Sequence, residues 1–338
     1  MLQKKDRKKI VEVIGRKEPV VVISHLNPDG DAIGSSLALA LFLQKKDVPV
    51  SVIIPNLVPE FLQWLPGYDM VRIYQQQRRQ CKELIRNAKT LFLLDFNDPE
   101  RAGGLRKQVV TSPAFKVLID HHQEPVDFAD LLVSEPWRGS AGEMIYMLIS
   151  GVADQEMIDQ EIATCLYVAI MTDTGNFRYA SSYAGIFNIV GELVDKGIDK
   201  DQIYSNIYDS YSEERMKLMG YCMSEKMVVL RDLHAAYISL NRDELKRFDH
   251  QVGDTEGFVN VPFSIKGIRV TALFIEKEKH IKISLRSKGN FSVEKIASEH
   301  FGGGGHINAA GGECNLPMDE TLKKFESILA NHRDELSQ

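Results

Sequence analysis

Short runs of apolar and β-branched residues alternate with helical patterns through the first half of the chain, and this alternation limits the fold more than any other feature. Patterns of buried strands cover residues 19–24, 48–54, 90–94 and 115–119, and a helical pattern covers residues 34–44. Such alternation is typical of a mostly parallel sheet that is covered by helices. We therefore predict an α/β fold for this half.

The periodicity changes after this region. From about residue 186 to 227 the spacing is helical and amphipathic, and strand patterns then follow at 227–230, 235–240, 270–275 and 281–285, before a helix at 322–331. A chain of 338 residues is also too long for one ordinary core. We predict a first domain with a parallel sheet over 1–190, a helical connector over 191–225, and a smaller α/β domain over 226–338.

Acids and histidines stand where the predicted strands of the first domain end. Because the carboxyl ends of strands in an open α/β sheet converge on the ligand crevice, these side chains are expected to meet in one place. The candidate ligands are four carboxylates and two imidazoles, from His25, Asp29, Asp31, Asp95, His121 and Asp173. Convergence of such side chains is what a metal centre requires.

This number of ligands predicts two divalent ions. Two ions about 3.5–4 Å apart that share a bridging carboxylate would use all of them. Oxygen and nitrogen ligands without thiolate favour Mn²⁺, with Mg²⁺ or Co²⁺ as the main alternatives. Gly30 lets the loop turn so that His25 and Asp29 face one ion and Asp31 faces the other. Asp95 is the predicted bridge.

Taken singly, most of these residues have ordinary explanations. Asp29 and Asp31 precede a helix and would serve as caps, and Asp95 or Asp173 would be a loop acid. The run from Asp120 to His122 resists such an explanation, because three titratable side chains at the end of an apolar strand are costly to bury without a partner. The ordered set therefore favours a metal centre.

The chain resembles the DHH phosphoesterase superfamily, with its DHH-associated C-terminal domain, in six ordered motifs that span nearly its whole length. The motifs are SHLNPDGDAIGS (24–35), LLDFND (93–98), LIDHH (118–122), MTDTGNFRY (171–179), ISLRSKG (283–289) and FGGGGHINAAGG (301–312). The resemblance implies one ion on His25, Asp29 and Asp95, and a second on Asp31, Asp95, His121 and Asp173. It implies catalytic roles for Asp120, which buttresses the imidazoles, and for His122, which lies near the leaving group. The most similar type is the nano-RNase, an oligoribonuclease and 3′-phosphoadenosine 5′-phosphate phosphatase.

Candidate substrate-binding residues lie mainly in the second domain. Successive glycines before His306 can form an anion-binding nest of backbone N–H groups, and a flexible connector is the alternative. One face of the strand at 281–285 is basic, and Arg286 can clamp a phosphate with both arms of its guanidinium. In the first domain, Arg178 is expected either at a phosphate or in a salt bridge. The full set is Arg178, Arg286, Ser287, Gly303, Gly304, Gly305 and His306.

Composition limits the partners. The net charge of −6 is not that of a protein that grips long duplex DNA, so a local patch or metal must hold any polyanion. We expect short RNA or nucleotide substrates, no membrane, no obligate protein partner and a possible homodimer. No run approaches the roughly 18 apolar residues of a membrane span. The cysteines, far apart in sequence, fit a reducing compartment, the cytoplasm.

These observations predict a dinuclear metal phosphoesterase that attacks phosphorus with metal-activated hydroxide. Its expected substrates are short oligoribonucleotides and 3′-phosphoadenosine 5′-phosphate. The alternative enzymes are a cyclic or linear dinucleotide phosphodiesterase, and an exopolyphosphatase or pyrophosphatase. A catalytically dead nucleotide sensor is less favoured, because every candidate ligand is present.

Overall fold

A computed structural model describes residues 4–153, 155–209 and 211–337 of the chain. The chain divides into two compact units, Met1–Ser210 and Tyr211–Gln338. The residues predicted to form the connector are divided between them. The end of the helix Ala184–Asp195 and the whole of the helix Lys200–Tyr208 belong to the first unit, whereas the helix Glu213–Tyr221 belongs to the second.

The first unit holds a sheet of parallel strands and helices on both of its faces. Its strands are β1 (Val20–Ile23), β2 (Val50–Ile54), β3 (Val71–Ile73), β4 (Thr90–Leu94), β5 (Phe115–Asp120) and β6 (Leu131–Ser134). Its helices are α1 (Lys4–Gly15), α2 (Gly30–Lys45), α3 (Arg78–Asn87), α4 (Arg106–Thr111), α5 (Ala141–Val152), α6 (Gln160–Asp173), α7 (Ala184–Asp195) and α8 (Lys200–Tyr208).

The strand order is β3-β2-β1-β4-β5-β6, and every pairing is parallel. The predicted α/β class and parallel sheet are therefore confirmed. The sequence did not reveal β3 and β6, which form the two edges of the sheet. They are short and only partly buried, so neither has the continuous apolar run that marks the central strands.

Helix α2 packs closely against α6 because glycine faces the contact. A Cβ at Gly34 would lie 2.5 Å from the carbonyl oxygen of Cys165 and 2.9 Å from the Cβ of Ala169. Helix α5 joins the same cluster, since a Cβ at Gly142 would lie 2.4 Å from the Cβ of Ala169. These close approaches bring the start of α2, the start of α5 and the end of α6 together near the carboxyl ends of the parallel strands.

The second unit is a smaller α/β domain, also as predicted. Its strands are β7 (Met227–Leu230), β8 (Ala235–Leu240), β9 (Val270–Glu276), β10 (Ile281–Ser287), β11 (Gly304–His306) and β12 (Ala309–Cys314). Its helices are α9 (Glu213–Tyr221), α10 (Arg242–Arg247), α11 (Val293–Phe301), α12 (Met318–Asn331) and α13 (Arg333–Leu336).

The sheet of this unit has the order β11-β12-β10-β9-β8-β7, and its pairings are antiparallel except for β8 with β9. Both faces of β9 are buried. Phe274 packs into the cluster that contains Phe325 of α12, whereas Leu273 and Ile275 pack on the opposite side with Phe258. Because side chains alternate along a strand, this sheet packs against a separate hydrophobic core on each of its faces. Within the described residues, no helix has the length and apolar character needed to cross a membrane.

Candidate active site

The candidate site lies at the carboxyl ends of β1 and β4, the neighbouring strands at the middle of the parallel sheet. The chain runs outward from β1 through β2 to β3 and later returns to β4 on the other side. This reversal of strand order opens the crevice in which ligands bind to open α/β sheets. His25 follows β1, and Asp95 comes directly after β4. The site therefore stands where the topology predicts one.

Asp95 lies at the centre of the site with one carboxylate oxygen turned to each of two histidines. Its Oδ2 is 3.3 Å from Nε2 of His25, and its Oδ1 is 3.4 Å from Nε2 of His121. The residue is buried and has a left-handed backbone, with φ of 64°. The geometry is that of a carboxylate able to bridge two cations, as the sequence predicts.

The remaining carboxylates divide between the two histidines. Asp29 Oδ1 lies 3.9 Å from Nε2 of His25. Asp31 Oδ2 and Asp173 Oδ2 lie 3.7 Å and 3.4 Å from Nε2 of His121. Two of the groups that could hold a metal are His25–Asp29–Asp95 and Asp31–His121–Asp173, and in each of them the ligand atoms lie within 4.8 Å of one another. The structure thus brings all six predicted ligands together in two groups joined by Asp95.

Both histidines are oriented as metal ligands usually are. His25 donates through Nδ1 to the carbonyl of Leu26 at 2.9 Å, and His121 donates through Nδ1 to the carbonyl of Arg138 at 3.2 Å. These backbone bonds turn the Nε2 atoms toward the carboxylates. Ligand atoms placed about 2.0–2.2 Å from one ion lie roughly 3–4 Å apart, so the observed spacings fit divalent cations.

The capping explanation holds for Asp29, where it does not compete with metal binding, but Asp31 lies in the first turn of α2 and does not cap that helix. Asp29 is the N-cap of α2 and accepts from the backbone N–H of Ala32 at 3.0 Å. Asp31 instead meets the start of α5, accepting from Ala141 N at 2.6 Å and from Gly142 N at 2.8 Å. These bonds fix the carboxylates, because a carboxylate oxygen has lone pairs for both an N–H group and a cation.

Burial and mutual contacts shift the pKa values of the histidines and acids at this site. Burial alone would lower the pKa of His121, but its hydrogen bond to Asp95 and the charge of Asp173 raise that pKa well above its ordinary value. Burial opposes a similar rise in the pKa of His25, but the hydrogen bond to Asp95 and the charges of Asp29 and Asp95 together outweigh it. Burial would also raise the pKa of Asp95, yet hydrogen bonds from both imidazoles hold it well below the usual range. Burial and the charge of Asp95 raise the pKa of Asp31.

Asp120 and His122 form a hydrogen-bonded pair beside Asp95. His122 donates through Nδ1 to Oδ1 of Asp120 at 2.7 Å, and its backbone N–H donates to Oδ2 at 3.1 Å. Burial and the charge of Arg101 hold the pKa of His122 well below its ordinary value. Burial, with the charge of Asp95, raises the pKa of Asp120 to about 6. The lowered pKa of His122 favours the neutral imidazole, which donates through Nδ1 to Asp120.

Arg101 is a site residue that the sequence analysis missed. Its carbonyl accepts from the N–H of Leu26 at 2.7 Å, which places it beside the loop that carries His25. Its charge lowers the pKa values of His25, Asp120 and His122. Among the described residues, its buried Nη1 has no hydrogen-bond partner. A buried guanidinium nitrogen without a partner is uncommon and suits an anionic ligand. A lone arginine behind LLDFND gives no such signal in the sequence.

The predicted substrate residues of the second unit are placed within that unit as follows. Arg286 lies on the half-buried face of β10 and donates to the carbonyl of Leu285 at 3.0 Å. Ser287 is buried, donates to the carbonyl of Phe291 at 2.6 Å and accepts from the Asn308 side chain at 2.8 Å. Ser287 therefore holds the neighbouring turn in place.

The glycine loop is more regular than expected. Gly304, Gly305 and His306 form β11, which pairs with β12, so they are a strand of a hairpin instead of an irregular nest. A Cβ at Gly303 would lie 1.8 Å from the carbonyl oxygen of Gly311. Close approach of two backbones thus explains why glycine is needed there.

Arg178 lies on the loop after α6, in the first unit. Its side chain is exposed, and its guanidinium carbon is 5.3 Å from the ring centroid of Tyr179. Within the described part of the chain Arg178 makes no salt bridge, which the sequence offered as the alternative. Asp173, five residues earlier, is partly exposed and faces His121.

Comparison with known proteins gives consistent matches along the chain. The model of the DHH family, N-terminal domain, matches residues 19–170, and that of the DHHA1 domain matches residues 236–335. The crystal structure of an exopolyphosphatase-related protein from Bacteroides fragilis is 42% identical, with a TM-score of 0.95, over 99% of this chain and 98% of that one.

Two further relatives add to this. The bifunctional oligoribonuclease and PAP phosphatase NrnA of Thermus thermophilus is 29% identical over 334 residues, 97% of this chain and 94% of that protein. The crystal structure of RecJ in complex with Mn²⁺, also from Thermus thermophilus, is 12% identical with a TM-score of 0.59. The match spans 99% of this chain and 55% of that one, and it concerns the fold alone.

Proposed function

From the premise that this chain belongs to the DHH family and carries a DHHA1 domain, we propose that it hydrolyses short oligoribonucleotides and 3′-phosphoadenosine 5′-phosphate as a metal-dependent phosphoesterase. The name of the Thermus relative, an oligoribonuclease and PAP phosphatase, supports this choice of substrates. The match to both family models agrees with the resemblance found in the sequence motifs.

The observation that carries the proposal is the position of Asp95 between two histidine nitrogens, at 3.3 Å and 3.4 Å. We propose that His25, Asp29 and Asp95 hold one divalent cation, and that Asp31, Asp95, His121 and Asp173 hold a second. Mn²⁺ is the preferred ion because the ligands are carboxylates and imidazoles without thiolate. A pair of such ions lowers the pKa of water and neutralises charge on phosphoryl oxygens.

The chain's own residues move the proton and position the phosphate. Nε2 of His122 is the proton-accepting atom, because Nδ1 donates to Asp120 and the imidazole is neutral. The Asp120 carboxylate fixes that tautomer and turns the ring. Arg101 supplies a positive charge beside these groups, and its Nη1 is suited to a phosphoryl oxygen.

We assign the far end of the substrate to the second unit. Arg286 and the hairpin of Gly303, Gly304, Gly305 and His306 would receive a terminal phosphate. Residues 266–295 around this strand hold eight lysines and arginines against three glutamates, in a chain whose net charge is −6. Such a small basic patch neutralises only a few phosphates, so short substrates are favoured over long polymers. Arg178 is kept as a further substrate contact of the first unit.

A turnover panel tests the proposal. Purified protein with Mn²⁺ is given di- to hexaribonucleotides, 3′-phosphoadenosine 5′-phosphate, linear and cyclic diadenylate, and polyphosphate, with EDTA as the metal-free control. We expect mononucleotide release from the short RNAs and phosphate release from the bisphosphate, both abolished by EDTA. Binding of these substrates without turnover would support a nucleotide sensor instead.

A second candidate function is polyphosphate hydrolysis, which the description of the Bacteroides relative as exopolyphosphatase-related favours. The same panel separates the two. Faster turnover of polyphosphate than of diribonucleotides would make this second function the main one.

The state of the cysteines supports a proposal for the cellular compartment. Cys81, Cys165, Cys222 and Cys314 are buried free thiols. Thiols that remain unpaired are usual in reducing compartments, which supports the cytoplasm as the site of action.

A further inference from the structure

Trp137 is a large aromatic side chain left exposed beside the candidate metal ligands. Its exposed fraction is 58%, and among the large apolar side chains of the described residues only that of Val252 is higher. The next residue, Arg138, accepts through its carbonyl from Nδ1 of His121 at 3.2 Å. Trp137 is therefore the immediate neighbour in sequence of the residue whose carbonyl orients His121, a predicted metal ligand.

The indole is held on one face by an arginine that is itself fixed. The guanidinium carbon of Arg138 lies 3.7 Å from the Trp137 ring centroid. Its Nε donates to Glu135 at 2.8 Å, and its Nη1 donates to Glu143, which is fully buried. Because both carboxylates hold the guanidinium, the face of the indole that rests on it has little freedom to move.

A second aromatic ring braces the edge of the indole. The ring centroids of Trp137 and Tyr183 are 5.9 Å apart at an interplanar angle of 65°. The Tyr183 hydroxyl donates to Glu143, the same carboxylate that holds Arg138. Glu143 also accepts from the backbone N–H of Gly139 at 3.1 Å. One buried carboxylate thus fixes both supports of the indole and leaves the rest of the ring to solvent.

We propose that Trp137, supported by Arg138 and Tyr183, is a stacking platform for a nucleobase of the substrate. The inference rests on the proposed function and adds a base-binding subsite to it. A flat aromatic of restricted mobility binds any base through its π-face, with little cost in side-chain entropy. Short oligonucleotides present few phosphates, so base stacking would supply affinity that charge cannot. Polyphosphate has no base and gains nothing from this platform.

The kinetic test compares Trp137→Ala with Trp137→Phe on two substrates, diadenylate and the same dinucleotide with one base removed. Stacking contributes about 1–3 kcal/mol per base, so we expect Trp137→Ala to raise KM for diadenylate about 5- to 150-fold. Trp137→Phe should keep most of the affinity. Two abasic analogues are tested, one without the first base and one without the second. For at least one of them, Trp137→Ala should have the same KM as the wild type.

Tyr204→Ala is the matched control, because it also removes a partly exposed aromatic, one that packs on Tyr208 of α8. We expect no change in KM for that variant. An unchanged KM for diadenylate in Trp137→Ala would overturn the platform while the proposed function stands. Absence of turnover in the wild-type protein would instead overturn the proposed function.

A fluorescence readout tests the platform without reference to rate. The chain has two tryptophans. Trp64 packs against the core and donates through its indole N–H to the carbonyl of Phe61 at 2.7 Å, so Trp64→Phe leaves Trp137 as the reporter. Rapid mixing of this variant with diadenylate and Mn²⁺ should quench its emission on binding, before substrate is consumed. No quench at saturating diadenylate would refute stacking on Trp137.

Discussion

Gly34→Ala is expected to weaken the metal site from a position that carries no ligand. Gly34 lies in α2 where that helix crosses α6, and the added Cβ would be 2.5 Å from the carbonyl oxygen of Cys165. Ordinary contact between carbon and oxygen needs roughly 3.4 Å, so the two helices must separate by about 1 Å. Helix α2 begins between Asp29 and Asp31, and α6 ends at Asp173. The separation therefore pulls ligands of the second group apart.

The expected cost follows from two opposed effects. Overpacking a close contact costs about 1–3 kcal/mol. Alanine is a better helix former than glycine by about 1 kcal/mol, which offsets part of that cost. We expect a net loss of unfolding free energy of up to about 2 kcal/mol. Ligand positions in metal sites tolerate about 0.2 Å, so the affinity for Mn²⁺ should fall about 10- to 100-fold.

Gly191→Ala in α7 is the matched control, since a Cβ there would meet nothing within 4 Å. The free energy of unfolding of that variant should rise by about 0.5–1 kcal/mol, because alanine loses less chain entropy on folding than glycine does. Its affinity for Mn²⁺ should equal that of the wild type. Urea unfolding of the metal-free proteins and calorimetric titration with Mn²⁺ measure both effects. If Gly34→Ala were as stable as Gly191→Ala and kept full Mn²⁺ affinity, close packing of α2 on α6 would not position the ligands.

Three further outcomes are expected. Asp95→Asn keeps the left-handed backbone that Asp95 needs but loses the bridging charge, so turnover and bound metal should fall together; full activity in this variant would exclude the bridge. Because the pKa of His121 is raised well above its ordinary value, protons compete with cations for this imidazole, and Mn²⁺ affinity should rise with pH through neutrality, with proton release detected by calorimetry in buffers of different ionisation enthalpy; affinity independent of pH would contradict this. Arg101→Ala should slow turnover at least about tenfold with Mn²⁺ stoichiometry unchanged, and Arg101→Lys should restore part of it; loss of metal in Arg101→Ala would mean that the arginine supports the ligands instead of the phosphate.

The six candidate ligands could be predicted because their chemistry is unusual for the places where they stand. An acid after a buried strand, as at Asp95, conflicts with an ordinary turn, and parallel strands carry such residues to one edge of the sheet. The pattern S-x-x-E at residues 140–143 is typical of a helix start, and Ser140 accepts from the N–H of Glu143 at 3.1 Å. The pattern could not show that the Glu143 side chain turns instead to Arg138 and Tyr183.

Other features depend on tertiary contacts that leave no pattern in the sequence. Arg101 belongs to the site through its carbonyl bond to Leu26 and its unpaired Nη1, and neither is visible from spacing. The glycine run before His306 suggested an anion nest, but pairing of β11 with β12 makes it a hairpin strand. Glycine permits both conformations, so composition alone cannot distinguish them.

The backbone conformation of Asp95 also limits how this position can change by descent. A φ of 64° is adopted readily by asparagine and glycine and poorly by β-branched residues. Asparagine and glycine codons each lie a single base change from an aspartate codon. A gene copy released from selection for catalysis can therefore take either residue and still encode a folded nucleotide-binding protein. Asparagine or glycine at this position in a related chain would indicate that the backbone conformation has been kept without the bridging carboxylate.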